Sequence, residues 1–332
     1  MSGIDDERGN LVAADDVGAS TLADAVRRGL QAPLRELPPK HFYDARGSDL
    51  FDQICDLPEY YPTRTERSIL ERRAGDIAAL TQATELVELG AGTAAKTRLL
   101  LDALFHQGSP RRYIPFDIDG ETLLRTGRSV AAEYPSLETV DCVAGDFERH
   151  LHLIPAKRPG ARRLFAFLGG TIGNFETPAR RRLLRTVAAQ LHAGDHLLLG
   201  VDLVKDPAVI EAAYNDAAGV TAQFNRNVLA VINRELQADF PLKAFAHVAF
   251  FDRANEWIEM RLRATRELTV TVREIDLVVE FAAGDEIRTE ISAKFTPQRL
   301  TRDLADSGLE VVELMRDPDG LFALALARPT GG

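Results

Sequence analysis

Three short stretches bring together glycines, carboxylates and an aromatic ring at the ends of apolar runs. The first, Thr84-Glu-Leu-Val-Glu-Leu-Gly-Ala-Gly-Thr-Ala-Ala-Lys96, runs from apolar residues through two glycines into a helix-like segment. Gly90 and Gly92 permit a tight turn and a close approach of backbone to ligand, and the next helix would aim free N–H groups there. The second, Tyr113-Ile-Pro-Phe-Asp-Ile-Asp119, ends in carboxylates suited to the two hydroxyls of a ribose, Asp117 foremost. The third, Ala144-Gly-Asp146-Phe147, offers an acid for an adenine amine and a ring to stack on the base. Together they describe an S-adenosylmethionine site. Nicotinamide dinucleotides use the first two features and are the competing reading, although Ala95 stands where the third glycine of their fingerprint falls. A G-x-G alone also turns many strands into helices with no ligand. Glu88, two residues before Gly90, is placed either to meet a cationic ligand or to brace the turn.

These stretches must be carried by strand ends. Strand patterns near 84–89, 112–117, 138–144, 163–168 and 196–203 alternate with helical patterns near 96–105, 120–133 and 178–191, which predicts a parallel sheet covered on both faces. After Val204 the alternation stops. Helices at 207–215 and 220–236 are followed by five successive strand candidates between 244 and 294, which suggests an antiparallel sheet. A helix at 297–306 and two strands joined by Asp317-Pro-Asp-Gly320 resemble the end of a doubly wound domain. The expected fold is therefore α/β: a doubly wound domain (63–204 and 295–332) with a closing antiparallel hairpin, and a smaller inserted α+β domain (20–62 and 205–294). Residues 1–19 are polar and expected to be disordered. Ser48 is a candidate cap for a short second helix, and Thr63-Arg-Thr-Glu66 has capping-box spacing for a third.

Composition narrows the function. The chain has 332 residues, 45% of them hydrophobic, enough for a sizeable core, and its net charge of −10 argues against sequence-independent nucleic-acid binding. The cluster Arg180-Arg-Arg182 with Arg185 reads as a solvated helix face. Cys55 and Cys142, far apart, suggest neither a disulfide scaffold nor zinc, and His150-x-His152 lacks further ligands nearby, so no metal is expected. No apolar run is long enough for a membrane span, and the cytoplasm is the expected location. Nothing suggests an obligate partner, so a monomer is expected.

Longer motifs carry a resemblance. Lys40-His-Phe-Tyr-Asp-Ala-Arg-Gly-Ser48, Leu57-Pro-Glu-Tyr-Tyr-Pro-Thr-Arg-Thr-Glu66, Phe167-Leu-Gly-Gly-Thr-Ile-Gly-Asn174, Gly219-Val-Thr-Ala-Gln-Phe-Asn-Arg-Asn227 and Thr289-Glu-Ile-Ser-Ala-Lys-Phe295, with Glu88–Thr93, are similar to the S-adenosylmethionine-dependent histidine Nα-methyltransferases of ergothioneine biosynthesis. The resemblance runs from about Leu37 to the C-terminus. It implies a Rossmann-like methyltransferase domain, a separate substrate-binding domain, and trimethylation of the α-amine of L-histidine to hercynine. It assigns Gly90, Lys96, Asp117, Asp146 and Phe147, with Tyr43, to the cofactor. Tyr43 and Tyr60 would sit near the amine as catalytic candidates. Tyr60, Gly169, Asn174 and Tyr214 would hold the amino-acid end, Met260 another part of the pocket, and Glu290 with Ser292 the imidazole. On a strand, i and i+2 share a face, so the last two can act together. A methyltransferase for another amino acid, or a non-catalytic adenosyl-ligand-binding protein, are the alternatives.

Overall fold

The computed structural model describes residues 9–13, 19–42, 44–108 and 110–331. Strand β1 (Gly9–Ala13), helix α1 (Ala19–Leu30), the two-residue strand β2 (Arg35–Glu36), α2 (Ala45–Cys55) and α3 (Tyr61–Thr81) come first. The alternating part follows as β3 (Glu85–Leu89), α4 (Thr97–Gln107), β4 (Arg112–Asp117), α5 (Gly120–Glu133), β5 (Thr139–Ala144), β6 (Arg163–Phe167), α6 (Thr177–Ala188) and β7 (His196–Asp202). Then come α7 (Pro207–Tyr214), α8 (Val220–Glu235), β8 (Phe245–Asp252), β9 (Trp257–Ala264), β10 (Leu268–Val272), β11 (Leu277–Phe281) and β12 (Glu286–Ala293). The chain closes with α9 (Pro297–Ala305), β13 (Leu309–Arg316) and β14 (Phe322–Pro329).

The main sheet has the order β1-β5-β4-β3-β6-β7-β14-β13. It is parallel except for β14, which runs antiparallel to both β7 and β13. This is a Rossmann-like doubly wound sheet with a closing hairpin. Strand order reverses at β3, whose neighbours are β4 and β6, and in such sheets ligands bind beyond the carboxyl ends near the reversal. Alternate residues feed two cores, Leu86 and Leu198 on one face, Val87, Leu89, Leu197 and Leu199 on the other. A third core joins α1 and α2 to α7, α8 and the later strands, through residues such as Val26, Leu50, Ile210, Val228, Leu262 and Phe281.

Several expectations need correction. Within 1–19, read as disordered, Gly9–Ala13 adds an edge strand to the main sheet, parallel to β5; residues 1–8 and 14–18 lie outside the described ones. The successive later strands do not form one sheet: β12, β9 and β8 pair antiparallel, with β2 parallel to β12 at the edge, while β10 and β11 form a separate two-stranded sheet. The turn at Ala282–Asp285 carries the chain from one sheet to the other, because β12 pairs with β9. Asp44 caps α2 by accepting from Gly47 N, so Ser48 lies inside that helix. Helix α3 starts at Tyr61 with Pro62 in its first turn, which puts Glu66 too far inside for a capping box. Arg180 is buried, with its guanidinium paired to Asp303 at 2.9 Å and stacked over Phe295; only part of that arginine cluster is solvated.

Candidate active site

Beyond the ends of β3, β4 and β5 the glycine turn and two acids converge. Gly90 and Gly92 take positive φ, 76° and 48°, the region open to glycine. Gly92 N–H donates to Asp117 Oδ2 at 2.8 Å, which ties the turn to the end of β4. Asp117 Oδ1 accepts from Asp119 N at 3.2 Å, and burial raises its pKa. With Ile118 N–H also bonded to it, the carboxylate still has acceptor capacity for a hydroxyl donor. Asp119 is committed to capping α5, accepting from Glu121 N and Thr122 N. Phe147 lies beside the glycine turn, stacked on Phe116 with centroids 5.5 Å apart, and a Cβ on Gly90 would meet its ring edge at 3.5 Å. His150 Nδ1 accepts from Asp146 N and so helps shape that loop. The glycine turn, an acid and an aromatic face fit an adenosyl group. Glu88 takes neither role expected of it. It points into the core and accepts from Thr97 and Tyr113, while burial pushes its pKa up to about 7.

A second set of residues walls a cleft with an empty volume of about 630 Å³, open solvent at its mouth included. Tyr60, Gly169, Asn174, Tyr214, Met260, Glu290 and Ser292 all line it, along with Asp202, Thr221 and Phe322. Tyr60 sits at the start of α3, its ring 6.2 Å from that of Tyr214 at the end of α7. Asn174 ends a 3-10 turn, Thr171–Asn174, that follows β6. That turn lies against β12 because Gly173 has no side chain: a Cβ there would meet Ala293 O at 2.8 Å and Ser292 Oγ at 3.3 Å. Glu290 pairs across the sheet with Met260, after a register shift in β12. Burial pushes the Glu290 carboxyl up to about 7, against the pull of Lys294. Tyr43 lies outside the described residues. Its neighbours are pinned, since Asn227 Nδ2 donates to Phe42 O at 3.2 Å and to Asp44 Oδ1 at 2.7 Å.

Two features were missed by the sequence reading. Glu66, fully buried in α3, accepts from Gly169 N at 2.9 Å and from Lys96 Nζ, and so links the cleft to the helix behind the glycine turn. Behind the cleft wall lies a buried charge cluster. Asp202 accepts from Tyr61 OH at 2.8 Å and pairs with both Lys205 and Lys294, the latter at 2.9 Å. Burial raises the Asp202 pKa but the two lysines outweigh it, leaving the carboxyl below its ordinary value. Lys205 is pulled down to about 8, chiefly by burial. Among the described residues no His, Cys, Asp and Glu group could hold a metal ion, and no helix is long and apolar enough to cross a membrane.

A family profile described as histidine-specific, S-adenosylmethionine-dependent methyltransferase matches residues 22–329. The chain is 54% identical over 318 residues to a histidine N-alpha-methyltransferase of Mycolicibacterium smegmatis, covering 96% of this chain and 98% of that protein. It is 52% identical over 313 residues to the protein of that name from Mycobacterium tuberculosis, covering 94% and 96%.

Proposed function

The chain belongs to the histidine-specific, S-adenosylmethionine-dependent methyltransferases, and we propose that it transfers three methyl groups to the α-amine of L-histidine, yielding hercynine for ergothioneine biosynthesis. The single observation that supports this substrate is one cleft lined by Glu290 and Ser292 together with Asn174 and Tyr214. A carboxylate and a hydroxyl match the two ring nitrogens, and the polar wall matches an amino-acid end.

When bound, the cofactor supplies a methyl group on a sulfonium, whose C–S bond breaks with its electron pair left on sulfur as the amine lone pair forms the new C–N bond. The chain's part is to hold the parts in line, an effect worth about 7–11 kcal/mol, and to accept the amine in neutral form. Gly90, Lys96, Asp117, Asp146 and Phe147 hold the adenosyl end. Tyr60 and Tyr43 orient the amine and lead away one proton after the first transfer and one after the second; the third leaves a quaternary nitrogen with no proton to lose. Gly169, Asn174 and Tyr214 fix the amino-acid end, and Met260, Glu290 and Ser292 the ring. The 63–204 and 295–332 segments form the cofactor domain in this reading, and 20–62 with 205–294 the substrate domain. The protein acts as a monomer in the cytoplasm, a reading to be checked by light scattering and fractionation.

Incubation with labelled cofactor and a panel of amino acids is expected to give mono-, di- and trimethylated histidine. Methylation of another amino acid in preference, or no product at all, would overturn the assignment.

A further inference from the structure

Lys294 is fully buried and does not line the cleft, yet it reaches three residues that do. Its Nζ lies 2.9 Å from Ser292 Oγ, 3.1 Å from Tyr214 OH and 2.9 Å from Asp202 Oδ2. An ammonium has three protons and no lone pair, so these contacts consume all its donors and run in one direction. Ser292 Oγ and Tyr214 OH must each accept from Lys294. Each hydroxyl proton is then turned away from the lysine, and both side chains line the cleft. A bond between the two hydroxyls would use up one of the protons, so the cleft is the direction open to both at once.

We infer that Lys294 is a positioning residue that sets hydrogen-bond direction in the cleft, making Ser292 a donor to the substrate ring and Tyr214 a donor to the amino-acid end. The inference rests on the histidine reading and deepens it. A ring nitrogen facing Ser292 must bring a lone pair, while Glu290 in its ionised form takes the opposite N–H. The site thus selects one neutral tautomer of imidazole, and rejects rings with no lone pair to offer. A hydroxyl free to turn would act as donor or acceptor and discriminate less. Asp202 keeps the lysine charged: burial lowers the ammonium pKa, but Asp202 and Tyr214 outweigh it and leave it above its ordinary value.

The first test uses the wild-type protein and histidine labelled with 15N in the ring, bound beside a non-reactive cofactor analogue. One pyridine-like and one pyrrole-like nitrogen resonance are expected, with the pyridine-like one shifting in Ser292→Ala. A bound imidazolium, or a Ser292→Ala change confined to the pyrrole-like nitrogen, would overturn the inference. The second is a double-mutant cycle on the KM for histidine, with the inhibition constant of phenylalanine, which has no ring nitrogen, as control. Lys294→Met is expected to raise the ratio of histidine KM to that inhibition constant by roughly tenfold, the size of one hydrogen bond to a buried partner, and to leave it unchanged in a Ser292→Ala background. Equal losses for both ligands, or full additivity, would reduce Lys294 to a structural ion-pair member. Should Lys294→Met fail to fold, the 15N measurement still decides. Failure of the wild-type protein to methylate histidine is a separate result, which removes the proposed function itself.

Discussion

Two residues carry the sharpest tests. Asp117 is engaged by backbone N–H groups beside the glycine turn, and its carboxylate can accept a further bond. Asp117→Ala is expected to weaken S-adenosylmethionine binding by about 1.5–3 kcal/mol, the range for a hydrogen bond to a charged group. Calorimetry on the folded variant measures this, and an unchanged affinity would take Asp117 out of the site. Glu290 lies buried with a pKa raised from 4.5 to about 7. A carboxyl held higher in the folded state than in the unfolded one contributes stability that is complete below pH 4.5 and lost as pH rises through about 7. Glu290→Gln, which cannot ionise, is expected to match the wild type in urea unfolding at pH 4.5 and to exceed it above pH 7 by up to about 3 kcal/mol. A gap that does not vary with pH would mean that Glu290 titrates normally. The gain in stability comes with a loss of function: Glu290→Ala is expected to raise the KM for histidine, leaving cofactor affinity in place. The buried carboxylate is therefore kept at a cost to the fold, as expected for a group that serves the ligand.

At the scale of elements, the contact between α3 and β7 carries the most consequence. A Cβ on Gly200 would lie 2.1 Å from Glu66 Oε1, so the carboxylate that holds Gly169 and Lys96 occupies the space of a missing side chain. Gly200→Ala is expected to displace Glu66 and to lower kcat/KM at least tenfold; adding Glu66→Ala should recover melting temperature without recovering activity. Recovery of both would show that Glu66 only fills space. This contact also marks the limit of what sequence revealed. Strands β3 to β7 could be read from apolar runs, and the residues that line the cleft from motif similarity, because each signal lies within a few consecutive residues. Glu66 looked like a capping-box member, since local spacing cannot tell a carboxylate that turns back on its own helix from one that crosses to another element. Lys294 and Asp202 gave no local sign at all: they lie on β7 and just beyond β12, and burial matched them across the junction of two sheets. Arg180 was misread for the same reason, its partner Asp303 lying on α9. The division of the later strands into a sheet and a separate hairpin was illegible too, because alternation marks a face and not a partner.

For the whole molecule, the cleft lies where the third core meets the main sheet. Tyr60, Tyr214, Phe224 and Met260 come from that core, whereas Gly169, Asp202 and Phe322 come from the end of the main sheet. Cofactor alone is therefore expected to slow hydrogen exchange around 90–93 and 117–119, and histidine added to the binary complex to extend protection to 202–214 and 290–295. Protection by histidine confined to one side would mean that the substrate does not bridge the junction. The position of β14 adds a constraint of timing. It fills the slot between β7 and β13, and Leu203 N–H bonds to Leu321 O beside it. On the ribosome β7 emerges with the entire insertion still to be made, so its edge waits unpaired through the rest of translation. A nascent chain halted before Phe322 lacks both that strand and one of the residues that line the cleft. It presents an open strand edge to chaperones and proteases before the cleft has its full lining.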